Sequence, residues 1–75
     1  MDITSAQCRA ARALLDKSQD DLAKMSRVSK RTITHFESGQ RALVPATLMA
    51  IKQALEAAGV NFIPRGVELR NREDC

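Results

Sequence analysis

A chain of 75 residues suits one small domain and is too short to enclose a deep catalytic pocket. Its 12 Lys and Arg against 9 Asp and Glu leave a net charge of +3, a mild positive field that suits a polyanion but by itself excludes little. Cys8, Cys75 and the single His35 lack metal-ligand spacing, and no apolar run reaches the roughly 20 residues of a membrane span, so the expectation is no metal, no cofactor, no membrane segment and a reducing, cytoplasmic setting.

In chain order, Thr4 followed three residues later by Gln7 reads as a capping box, with Ile3 placed to staple onto Cys8. The first helix then runs to about Asp16, burying Cys8, Ala11 and Leu15 with Leu14 beside them, and carrying Arg9 and Arg12. Ser18 caps a second helix whose Asp20 and Asp21 favour its positive end. Ser29 caps a third, with Val28 and Ile33 stapling across the cap, and Gly39 is the left-handed stop. After a loop from Gln40 to Val44, Pro45 opens a fourth helix on Leu48, Ile51, Leu55 and Ala58, which Gly59 ends. Val44 stands where a polar cap is the usual choice.

Beyond Gly59 the period changes. Val60 and Phe62, then Val67 and Leu69, alternate with Asn61, Ile63, Glu68 and Arg70 on either side of Pro64-Arg65-Gly66, which predicts a short hairpin over 60–70. The polar residues 71–75 read as a frayed tail. An isolated hairpin is marginal in water. Phe62, Ile63, Val67 and Leu69 therefore either form a dimer surface or cover the core of their own chain.

The informative segment is Gln19 to Glu37, QDDLAKMSRVSKRTITHFE. It reads as two short amphipathic helices joined by a turn of about three or four residues, the layout of a DNA-reading helix-turn-helix. Leu22, Ala23, Val28, Ile33 and Phe36 supply a small shared core, and the outward face of the second of these helices carries Lys30, Arg31, Thr34 and His35. Arg and Lys suit the O6 and N7 acceptors of guanine, Thr offers a hydroxyl or a contact to the thymine methyl, and His donates to a purine acceptor. A helix face of ordinary solvated charges has the same composition.

The Gln at the first helical position, the Leu22-Ala23, Val28-Ser29 and Thr32-Ile33 pairs and the Glu37-Ser38-Gly39-Gln40-Arg41 close resemble the phage-repressor-type, or XRE, helix-turn-helix family from about Ser5 to Val60. The resemblance implies a mainly α, lambda-repressor-like DNA-binding domain of four to five helices over 1–59, with the C-terminal β-hairpin as a possible dimerisation element. It matches Lys30, Arg31 and His35, with Thr34 beside them, to base-reading positions, and Arg9, Gln19, Thr32, Ser38, Gln40 and Arg41 to phosphate-contacting ones. It matches Arg12 and Glu37 to a structural ion pair. Arg27 departs from the pattern, because the family usually has glycine in this turn; either the turn tolerates the strain or Arg27 adds a phosphate contact.

The function implied is sequence-specific transcriptional regulation, as a repressor that binds a palindromic operator as a homodimer. A single reading helix covers only a few base pairs, and two half-sites about one helical turn apart are needed for useful specificity. The rival reading is an antitoxin-like module that neutralises a partner protein and represses its own gene. An enzyme is disfavoured by the single His and the lack of a Gly-rich phosphate loop. RNA binding is disfavoured by the absence of Trp and Tyr for base stacking.

Overall fold

Hydroxyl side chains start three of the four helices among the described residues. In the computed structural model, which describes residues 3–40 and 42–69, Thr4 Oγ1 accepts the Gln7 amide at 3.1 Å while Gln7 Oε1 accepts the Thr4 amide at 2.8 Å, opening α1 (Ser5–Leu15). Ser18 and Asp21 exchange the same two bonds, both 3.0 Å, to open α2 (Gln19–Ser26). Ser29 Oγ accepts the Thr32 amide at 3.2 Å and opens α3 (Lys30–Glu37). Helix α4 (Pro45–Ala57) follows Val44, which makes no side-chain cap; Pro45 in the first turn removes one of the amides a cap would serve.

Left-handed residues stop the helices. Gly39 has φ 81° and Gly59 φ 114°, as the sequence predicts, and Arg27 has φ 61°. Asp16, at φ 57°, was not foreseen as a special position. Its short polar side chain tolerates the left-handed region, and it ends α1 at Leu15 with the Lys17 amide donating to the Arg12 carbonyl at 2.9 Å.

The core is built from Cys8, Ala11, Leu22, Ile33, Phe36, Leu48, Ile51 and Leu55, joined by Ile3 from before α1 and by Val60 and Phe62 from after α4. Leu15, Ala23 and Val28 are partly buried against it. Two expected members lie outside. Leu14 is 43% exposed, one step past the edge of the stripe that faces the other helices, and Ala58 is exposed beyond the last turn of α4.

Strands β1 (Val60–Ile63) and β2 (Gly66–Leu69) pair antiparallel with Val60 opposite Leu69 and Phe62 opposite Val67. Period-2 alternation puts these four side chains on one face, toward the helices. Val60 and Phe62 are buried there, with Val67 and Leu69 packed beside them. Of the sequence's two readings of the hairpin, three of its four residues thus cover their own chain's core; Ile63, 36% exposed, faces out. Gln7 anchors the turn. Its Nε2 donates to the carbonyls of Ile63 at 2.7 Å and Gly66 at 3.1 Å, fastening a hairpin that would be marginal alone onto α1. Arg70 and the expected frayed tail, 71–75, lie outside the described residues. No helix among the described residues is long and apolar enough to cross a membrane.

Candidate nucleic-acid interface

Helices α2 and α3 are joined by Arg27-Val28-Ser29. The Arg27 amide donates to the Ala23 carbonyl at 2.9 Å with φ 61° and ψ 27°, so the chain reverses through a left-handed arginine. Ser26, which the sequence did not mark, is buried at the corner: its hydroxyl donates to the Leu22 carbonyl at 2.7 Å and accepts the Val28 amide at 3.3 Å. Ile33 and Phe36 turn α3 onto the core, and the 3.6-residue period leaves Lys30, Arg31 and Thr34 exposed on the other side. His35 is half-buried at the edge of that face. Lys30 Nζ lies 3.4 Å from Asp20 Oδ1 in the first turn of α2, an exposed ion pair.

Behind the outward face, Glu37 is the point where three helices meet. It is 3% exposed, and its carboxylate takes four hydrogen bonds. Oε1 accepts from Arg12 Nη2 at 2.6 Å and Gln19 Nε2 at 2.9 Å; Oε2 accepts from Arg12 Nε at 2.7 Å and Cys8 Sγ at 3.1 Å. Arg12 thus meets it through a two-bond fork, the geometry in which planar guanidinium and carboxylate match. Arg12 also donates to the Lys17 carbonyl at 3.1 Å, and the Arg9 guanidinium donates to the Glu37 carbonyl. The Arg12–Glu37 pair expected from the sequence is therefore formed, and it ties α1 to the last turn of α3.

The electrostatics follow from this packing. Burial of Glu37 works to raise its pKa, and the hydrogen bonds from Arg12, then Gln19, then Cys8 outweigh it, so the carboxyl is held below the ordinary glutamate range and stays ionised. Arg12 is shifted up, chiefly by its hydrogen bond to Glu37. Burial, reinforced by the hydrogen bond to Glu37, pushes the Cys8 thiol far up, so it packs and donates rather than reacting as a thiolate. The sequence had placed Cys8 only in the core; its contact with Glu37 spans 29 residues and has no local signature.

Gln19 links this network to the outward face. Its Nε2 is held by Glu37, and its Oε1 accepts the Thr34 hydroxyl at 2.9 Å. Thr32 is half-buried, its hydroxyl accepting from Ser29 Oγ at 2.8 Å. Ser38 and Gln40 are exposed just beyond α3, where the Ser38 hydroxyl and the Gln40 amide both donate to the His35 carbonyl. Arg41 lies outside the described residues. Among the described residues no group of three or more His, Cys, Asp or Glu side chains is placed to hold a metal ion.

The structure thus carries Lys30, Arg31 and Thr34 on one face of an eight-residue helix with His35 at its edge, Gln19 hydrogen-bonded to Thr34, and Ser38 and Gln40 exposed just beyond its last turn. No curated protein matches the chain. The helix-turn-helix family model of the XRE type matches residues 9–59, a span that holds most of α1 and the whole of α2, α3 and α4. The chain belongs to this family of DNA-binding transcription regulators.

Proposed function

We propose that the protein is a sequence-specific transcriptional repressor, cytoplasmic and non-enzymatic, that binds a palindromic operator as a homodimer. The single observation that carries the sequence-specific part is the polar face of α3, whose Lys30, Arg31 and Thr34 are exposed while the opposite face is locked into the core by Ile33 and Phe36. A helix held in this way fits the major groove, where Lys30, Arg31, Thr34 and His35 take the base edges. Arg9, Gln19, Thr32, Ser38, Gln40 and Arg41 take the flanking phosphates, Gln19 with the free amides at the start of α2. Repression requires only that the bound domain occupy DNA that a polymerase needs.

Selection of bound duplexes from a random pool tests the reading. The expected result is a palindromic consensus with half-site centres about one helical turn apart. Arg31→Ala or Lys30→Ala should then lose about 1–3 kcal/mol on that site and relax one base position. Retention of the full preference by both variants rejects α3 as the reading helix. No enrichment at all would reject DNA reading and favour a protein-binding role.

A further inference from the structure

Resting on that reading of α3, we infer that Thr34 selects thymine through its methyl group, and that Gln19 is the positioning residue that sets this choice. A threonine on a reading helix ordinarily has two chemistries: a rotatable hydroxyl that donates to a base acceptor or accepts from a base amino group, and a methyl that packs on the C5-methyl of thymine. Here the hydrogen-bond directions are forced in sequence. Glu37 is ionised and can only accept, so the Gln19 amide must turn its Nε2 toward Glu37 Oε1, 2.9 Å away. This leaves Gln19 Oε1, which can only accept, facing Thr34 Oγ1 at 2.9 Å. Thr34 must donate its one proton there.

Four bonds on the Glu37 carboxylate, two of them from Arg12, keep this arrangement from reversing. The exposed Thr34 side chain therefore keeps no donor for N7 or O6 of a purine or O4 of thymine. Its oxygen, held against Gln19 on α2, keeps only acceptor capacity, which an adenine or cytosine amino group alone could use, so toward thymine the methyl is the one group that it can offer. Gln19 then does two things at once. It supplies a phosphate-side amide to every sequence, and it makes one base position prefer thymine.

The test is selection from a random duplex pool with the wild-type protein, Thr34→Val, Thr34→Ser and Gln19→Ala, followed by replacement of single thymines by deoxyuridine in the selected site. All four proteins keep the buried core, and thermal melts verify that each is folded. The inference expects one thymine in each half-site whose replacement by deoxyuridine weakens wild-type binding about fourfold, the size expected for one buried methyl group. Thr34→Val should keep the preference, Thr34→Ser should lose it, and Gln19→Ala should weaken binding to all sequences and also relax that one position. A consensus that ignores every deoxyuridine replacement overturns the inference while leaving α3 as the reading helix. So does a Gln19→Ala protein that binds more weakly with an unchanged consensus. Absence of any consensus overturns both the inference and the reading beneath it.

Discussion

Glu37 shows how much one residue can decide when its surroundings leave no slack. An amide of the same shape offers one acceptor oxygen where the carboxylate offers two, so Glu37→Gln must break bonds to Arg12 and to either Gln19 or Cys8. With the Glu37 side chain 3% and Arg12 18% exposed, water replaces little of the loss. The expected cost is about 3 kcal/mol, read as a lower denaturant midpoint. The pH dependence has a definite sign. Because Glu37 has a lower pKa folded than unfolded, its stabilisation is complete above the ordinary glutamate value of about 4.3 and is lost as the pH falls through the folded value. Asp21, lowered by its bonds to Ser18, acts in the same sense. The Glu37→Gln protein should therefore lose less stability on acidification than the wild type, and parallel acid melts would reject the assignment of the acid limb to Glu37.

Arg27 departs from local preference in its backbone. At φ 61° an L side chain crowds its own carbonyl, and glycine does not. Arg27→Gly should raise the denaturant midpoint by about 0.5–1 kcal/mol of stability if strain outweighs the extra entropy of an unfolded glycine. An unchanged or lower midpoint rejects strain as the dominant effect, and an accompanying loss of DNA affinity assigns Arg27 to a phosphate. This position was legible only through the family resemblance, which puts glycine in the turn. Asp16 adopts the same conformation without being foreseen, since aspartate serves equally well in other turns.

Among the elements, helix boundaries were the most legible part of the molecule. Thr4, Ser18 and Ser29 each announce a helix start through bonds that reach only three residues ahead, and Gly39 and Gly59 announce stops. The contacts that fix one element against another were not legible. Gln7 was recognised as a cap but also holds the hairpin turn 56 and 59 residues away, and Gln19 was read as a phosphate ligand but also bridges α2 to α3. Such bonds depend on which faces meet, and periodicity within one element carries no information about that.

The exposed Lys30–Asp20 pair is another contact of this kind, with a consequence for the α2–α3 unit. Asp20 is 67% exposed in the first turn of α2, where it suits the positive helix end and pairs with Lys30 of the proposed reading face. An exposed pair of this sort contributes little to stability. Asp20→Asn should therefore leave the melting temperature nearly unchanged and tighten binding to all duplexes alike, as a carboxylate that repels phosphates is removed while Lys30 keeps its base edge. Affinity titrations decide it, and an unchanged affinity means that Asp20 lies away from the bound backbone.

At the scale of the whole molecule, the hairpin changes from an appended element into part of the fold. Val60 is fully buried and Phe62 nearly so, and both lie on the far side of Gly59 from the helices they pack against. Removing residues after Gly59 should therefore expose the core and unfold the domain, rather than leave a folded monomer; a truncated chain with an unchanged melting temperature would contradict this. The residue that separates association from folding is Ile63, which is 36% exposed beside the turn and packs into no part of the described core. If the hairpin holds two copies together, Ile63→Asp should leave the melt of the isolated domain close to wild type while sedimentation shifts toward the monomer. Half-site binding should then be unaffected. Full-operator binding should drop by one or more orders of magnitude, because the second reading helix would no longer be delivered at the effective concentration that a dimer provides. An Ile63→Asp protein that still sediments as a dimer places the interface on another exposed apolar position, of which Met49 on α4, 53% exposed, is the next to change.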